Sequence, residues 1–328
     1  MRALVCATLG SFDNLSLEHV ADPVPRENEA LVHIFVAALN FPEILIVAGK
    51  YQIKPALPFV VGGEGAGIVT EVGRKVTSVK VGDRVAFAGS IGAFAEKIVK
   101  RESELIHIPD SMSLDIAAGF CVAYGTSYYA LKQCGNVREG ETVLILGAAG
   151  GVGLAAVDIS RALGARVIAA ASDNSKIAVA KSVGAHDSIR YDVDSLIEQT
   201  KFLTGGKGAD IVLDPVGGKA SEQALHAIAW NGRFLVVGFA AGEIPRVPLN
   251  LPLLKNCSIC GVSFGAWAER YPDKYNGNLN ELFALHANGL LHPLVSESFG
   301  IENFRNAFAS LSERRVTGKV VLRITDEH

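Results

Sequence analysis

The chain has 328 residues, 49% of them hydrophobic and 20% charged, more than one core usually holds, so two domains are expected. The formal net charge of −3 comes with scattered lysines and arginines rather than the basic patch of a nucleic-acid binder. The most apolar stretch, TVLILGAAGGVGLAAV, is broken by glycines and does not read as a membrane span, and five cysteines suit a reduced, cytoplasmic setting better than a disulfide framework.

The opening stretch, MRALVCATLGSFDNLSLEH, carries too short an apolar run for a signal peptide. Up to about residue 109 the apolar runs are short and punctuated by turns. ALVHIFVAAL, GIVTEVG, KVTSVKVGDRVA and AFAEKIVK read as strands rich in β-branched residues, with a Gly-Asp turn in KVGDRV. From about residue 124 the rhythm changes. ETVLIL reads as a buried strand and GGVGLAAVDISRALGA as a helix ending at Gly164. RVIAAAS is a strand, 175–182 a helix, ADIVLDPV a strand, KASEQALHAIAW a helix and GRFLVVGF a strand. Strand and helix in alternation predict a parallel sheet with helices on both faces. Two helices, GNLNELFALHANG and IENFRNAFASLSE, and a last strand, GKVVLRI, follow.

Two glycine-rich stretches compete as a phosphate cradle. In LILGAAGGVGLAAV a strand leads into Ala148-x-Gly150-x-x-Gly153 and then a helix. That is the setting of a dinucleotide fingerprint, with alanine in place of the first glycine. Gly150 lets the backbone approach a pyrophosphate, Gly153 lets helix and sheet pack closely, and the helix start offers free N–H groups. The other stretch, PFVVGGEGAGIV, has no such spacing and runs on into strand.

An NAD site places an acid near the end of the second strand. Here the strand ends AAAS, so the small, neutral Ser172 stands there, with Lys176 one helical turn on. That charge balance favours a 2′-phosphate and hence NADPH. Asp173, one position late, is the argument for NAD.

NFPEILIVAGKY, ALPFVVGGEGAG, VGDRV, AYGTSYYAL, GAAGGVG, DPVGG and the terminal RRVTGKVVL together resemble the zinc-free quinone oxidoreductase branch of the medium-chain dehydrogenase/reductase superfamily. The resemblance runs nearly end to end. It implies an α/β fold: a β-rich, chaperonin-10-like catalytic domain over 1–122, a doubly wound Rossmann domain over 123–264, and a segment over 265–328 that returns to the catalytic domain. In zinc-dependent relatives three metal ligands fall where this chain has Asn40, Gly63 and Ala118, so no metal is expected. GGEGAG then reads as a tight turn at the emptied metal site. Cys257-x-x-Cys260, in strand-like NCSICGVSF, reads as edge-strand packing rather than a redox pair.

Without a metal to acidify an alcohol, the chemistry that fits is hydride addition to an electron-poor quinone or α,β-unsaturated carbonyl. Charge then collects on a carbonyl oxygen, which a neutral donor can stabilise or protonate. Asn40 and Tyr51 are the candidates, and the resemblance places both near the nicotinamide; Tyr51 either donates a proton or positions the substrate. The cofactor set expected is Asn40, Gly150, Gly151 and Val152 of the glycine turn, Phe239 at the end of GRFLVVGF, and Thr126, at a helix start, which resembles the family position touching the nicotinamide region. At the 2′-phosphate it is Ser172 and Lys176, to which the resemblance adds Tyr191 and Arg314, with Arg315 competing for the last place. An enoyl-thioester reductase and a non-catalytic NADPH-binding protein are the alternatives. The apolar KNCSICGVSF edge predicts a homodimer, with a tetramer left open.

Overall fold

The structure, a computed structural model, describes residues 1–325. It divides into two compact units: Met1–Val122 together with the chain from Leu294 on, and Ala123–Pro293.

The first unit opens with strands β1 (Arg2–Cys6), β2 (Ser16–His19) and β3 (Glu29–Leu39) and helix α1 (Phe41–Val47). Strands β4 (Phe59–Val60), β5 (Glu64–Val72), β6 (Arg84–Ala88), β7 (Lys97–Arg101) and β8 (Ile106–His107) follow, then helix α2 (Leu114–Ala118). The long β3 organises the unit. Its apolar, β-branched run pairs antiparallel with β5 and with β7. Val32 and Ile34 pack in one core with Phe87, Phe94 and Phe308. The expected strand in KVTSVK does not form. Glu102 accepts the N–H groups of Thr77 and Ser78, and Asp83 accepts that of Lys80, so carboxylates rather than a ladder satisfy this backbone. GGEGAG is a turn only over its first two glycines, because β5 begins at Glu64. A Cβ at Gly67 would stand 1.9 Å from the His33 carbonyl oxygen, so the strand runs there only because the residue is glycine.

Helix α3 (Phe120–Tyr128) crosses the division, and the second unit continues with β9 (Thr142–Leu146), α4 (Gly151–Ala162), β10 (Arg166–Ala171), α5 (Asn174–Val183) and β11 (Asp187–Arg190). Next come α6 (Leu196–Leu203), β12 (Ala209–Asp214), α7 (Gly218–His226), β13 (Ile228–Val236), α8 (Asn250–Lys255), β14 (Ser258–Gly261), α9 (Phe264–Arg270) and α10 (Pro272–Ala287). The six strands form one parallel sheet in the order β11-β10-β9-β12-β13-β14, the doubly wound Rossmann arrangement. All five residues of β9 are buried, as a strand covered on both faces requires. The helix expected to run to Trp230 stops at His226, because Ile228 pairs with Ala209 in the sheet.

The return to the first unit, expected at residue 265, comes at Leu294. Buried side chains explain the shift. Leu279 and Leu282 of α10 are fully covered, and the Asn278 amide is bonded to Gln133. Asp158 of α4 accepts the His292 N–H at 2.6 Å. The chain then adds β15 (Val295–Gly300), α11 (Phe304–Ser312) and β16 (Lys319–Arg323), and β16 pairs antiparallel with β3.

Candidate active site

In the second unit, the turn after β9 has the backbone geometry of a phosphate cradle. Gly147 takes a left-handed φ of +57°, and Gly150 caps α4. A Cβ at Gly153 would stand 2.1 Å from the Gly147 carbonyl oxygen, so only glycine lets the helix start this close to the strand. Gly151 and Val152 form the first turn, whose unbonded N–H groups favour an anion. The Ser127 hydroxyl donates to the Val152 carbonyl at 2.8 Å and ties α3 to this turn. Thr126 does not start a helix as expected; it lies late in α3 and is buried. Apolar residues carry the helix back to Phe120, and Phe264 covers the glycine at 125, where a Cβ would meet its ring at 2.6 Å.

Beyond β10 the structure brings Ser172 and Lys176 together, with Lys176 Nζ donating to Ser172 Oγ at 3.0 Å. The Asp173 carboxylate caps α5, accepting the Lys176 N–H at 2.9 Å and the Ser175 hydroxyl at 2.6 Å. These bonds hold it well below the usual carboxylate range. Tyr191 follows β11, and its N–H donates to the Ala171 carbonyl, next to Ser172. Phe239, partly exposed after β13, lies against the Gly217 turn. Arg314 belongs to the first unit, in the turn after α11 with a φ of +57°, and the Arg315 guanidinium bonds Glu313 at 2.6 Å.

In the first unit, Asn40 links β3 to α1 and its N–H donates to Glu43 Oε2 at 2.9 Å. Glu43 Oε1 accepts the Gly63 N–H at 2.9 Å. Burial pushes the Glu43 carboxyl up to about 7. The Asn40 amide donates to Glu64 Oε1 at 2.9 Å, and its oxygen accepts from Lys319 Nζ at 2.5 Å. Lys319 also bonds Glu64 Oε1 at 2.8 Å, and Glu64 Oε2 accepts the Val122 N–H. Tyr51 is half-buried against the same core, and burial followed by the charge of Glu43 raises its phenol, which keeps it protonated as a donor. Sequence reading missed Lys319. Its signal was a lysine opening the apolar strand GKVVL, where a solvated side chain is the ordinary expectation.

These residues do not fit zinc. A Cβ at Gly63 would stand 2.7 Å from Glu43 Oε1 and 3.0 Å from the Gly89 carbonyl, so a histidine there would have to displace the carboxylate that bonds the Gly63 N–H. Ala118 offers only a buried methyl, and the Asn40 oxygen is held by an ammonium. Among the described residues, no group of three or more His, Cys, Asp or Glu side chains could hold a metal ion. Nor, among them, is any helix long and apolar enough to cross a membrane.

Residues 26–110 match the alcohol dehydrogenase GroES-like domain, and residues 151–281 match the zinc-binding dehydrogenase family. The chain is 40% identical to a quinone oxidoreductase-like protein 2 homolog of Nematostella vectensis, over 98% of this chain and 88% of that protein. A quinone oxidoreductase structure from Pseudomonas syringae superposes with a TM-score of 0.91 at 32% identity, covering 98% of this chain and 99% of the other. The Escherichia coli quinone oxidoreductase complexed with NADPH gives a TM-score of 0.92 at 29% identity, covering 98% and 100%. With both halves matched and the metal ligands replaced, the chain belongs to the quinone oxidoreductase branch of the medium-chain dehydrogenase/reductase superfamily and is a zinc-independent oxidoreductase.

Proposed function

We propose that this protein is an NADPH-dependent reductase of quinones or related α,β-unsaturated carbonyls. The observation that carries the reading is the Ser172–Lys176 pair beyond β10: an ammonium beside a hydroxyl, with the neighbouring Asp173 carboxylate engaged in capping a helix. That chemistry suits a 2′-phosphate, and the one nearby acid, Asp173, is already bonded through Oδ1 to the helix start and through Oδ2 to Ser172 and Lys176. The complex of the Escherichia coli relative with NADPH agrees.

Gly150, Gly151 and Val152 receive the pyrophosphate on the α4 N-terminus, and Thr126 and Phe239 complete the set for the rest of the cofactor. Ser172, Lys176 and Tyr191 hold the 2′-phosphate, with Arg314 as the remaining expected contact. Bound NADPH supplies the hydride. The chain's own task is to hold the acceptor oxygen as charge gathers on it, with the Asn40 amide as a neutral donor. The Tyr51 phenol delivers the proton, which its raised pKa keeps in place.

The protein acts as a homodimer. Among the described residues β14 pairs only on its β13 side in the sheet order and leaves Ile259 exposed, and Leu249, Leu253 and Leu254 lie exposed on the segment before it. A second copy pairing there removes an open apolar edge. Five free cysteines fit a reducing, cytoplasmic setting.

The test is NADPH oxidation followed against a panel of quinones, enones and enoyl thioesters. Turnover on quinones or simple enones supports the reading. Turnover confined to enoyl thioesters replaces it with a thioester reductase, and NADPH binding without turnover on any acceptor replaces it with a non-catalytic NADPH-binding role.

A further inference from the structure

We propose that the ammonium of Lys319 is the resident cation of the former metal site, and that Lys319 is a positioning residue that presents the Asn40 amide to the acceptor oxygen. The proposal rests on the reductase reading above, since it concerns how Asn40 is aimed.

The contacts around Lys319 are those of a cation held by oxygens. Its Nζ bonds the Asn40 side-chain oxygen at 2.5 Å, Glu64 Oε1 at 2.8 Å and the Leu39 carbonyl at 3.4 Å. Glu64 is fully buried and Lys319 is 7% exposed. A buried carboxylate demands such a partner, because an unpaired charge in the interior is strongly destabilising. The positions that supply metal ligands in zinc-dependent relatives surround the same ammonium. Asn40 bonds it directly, Gly63 precedes Glu64, and Ala118 precedes Gly119, whose Cβ would stand 2.9 Å from Lys319 Cε. The cation is carried by β16, from the far end of the chain.

This arrangement fixes the Asn40 amide. Lys319 donates to the Asn40 oxygen and Glu64 accepts from the Asn40 nitrogen, so the amide oxygen faces Lys319 and the amide nitrogen faces Glu64. One N–H goes to Glu64 Oε1 at 2.9 Å, and the second serves as the donor to the acceptor. The ammonium draws electron density from the amide oxygen and makes that N–H a stronger donor. Without the cation only the bond to Glu64 holds the amide, so its aim at the acceptor is loosened and the polarisation of its N–H is lost.

The experiment uses the full chain with Lys319→Ala and the volume-keeping Lys319→Met. NADPH affinity, melting temperature, and kcat and KM with a benzoquinone are measured. Each is repeated with added ethylammonium, and with tetramethylammonium at equal ionic strength. NADPH affinity is expected to stay within about twofold while kcat falls about 10- to 100-fold in both variants, the usual cost of removing a group that orients a functional side chain. Ethylammonium, but not tetramethylammonium, restores several-fold activity to Lys319→Ala, because only the former donates hydrogen bonds to Asn40 and Glu64. If activity merely follows the folded fraction and neither amine restores it, Lys319 is structural and the proposal is overturned. If wild type turns over no acceptor at all, the reductase reading falls separately. Melting of Lys319→Ala then decides whether this site holds a cation: stabilisation by ethylammonium alone supports it, and equal curves in both amines overturn it.

Discussion

Replacing Lys176 with alanine removes an ammonium that lies 3.0 Å from Ser172 Oγ and 3.3 Å from Asp173 Oδ2. A hydrogen bond from a charged group contributes about 1.5–3 kcal/mol. At about 1.4 kcal/mol per tenfold in affinity, the full loss spans roughly 10- to 150-fold. Asp173 already shares the ammonium, so part of its strength is spent before a phosphate binds, and NADPH affinity is expected to fall about 10- to 100-fold. The fold should survive, because the α5 cap uses the Lys176 backbone N–H, which alanine keeps, and alanine is the better helix former. NADH lacks the 2′-phosphate, so its affinity should change less than about twofold. Fluorescence titration of both cofactors against both proteins reads the difference. Equal weakening for NADPH and NADH, or a wild type that binds the two alike, would refute a phosphate pocket at Ser172 and Lys176 and return Asp173 to the ribose.

Gly153→Ala sets a methyl 2.1 Å from the Gly147 carbonyl oxygen, so it should lower stability by roughly 1–3 kcal/mol and abolish tight cofactor binding; a normal melting temperature with normal affinity contradicts the cradle. Tyr51→Phe keeps the packing and removes the proton donor, so kcat should drop by about 100-fold at unchanged NADPH affinity, and an unchanged kcat would leave Tyr51 a positioning role only. Glu43, raised by burial to about 7, stabilises the fold fully below its unfolded pKa and loses that contribution as pH rises through 7. About 3 kcal/mol should therefore disappear between roughly pH 4.5 and 7, seen as a falling urea midpoint that Glu43→Gln lacks. Parallel pH curves for the two proteins would count against it. Ile259→Arg charges the exposed β14 edge and should shift light-scattering mass from dimer to monomer at micromolar concentration, whereas an unchanged dimer would place the interface elsewhere.

The sequence by itself determined the parts that rest on local backbone chemistry. The strand–glycine turn–helix around Gly150 and Gly153 is legible because the reasons for it, a left-handed turn and a close approach, lie within a few residues. The alternation from β9 to β13 is legible because buried parallel strands and their covering helices each leave a periodic trace. Ser172 and Lys176 are one helical turn apart, so their meeting follows from spacing alone. Tertiary structure decided the rest. KVTSVK has the composition of a strand, yet Glu102, distant in sequence, takes its N–H groups. The resemblance assigns residues 265–293 to the first unit, yet Asp158, Gln133 and a buried face of α10 hold them in the second. The cluster of Asn40, Glu43, Glu64 and Lys319 draws on β3, α1, β5 and β16. No local pattern foretells it, because pairing a buried ammonium with a buried carboxylate is favourable only where folding has brought both out of water together.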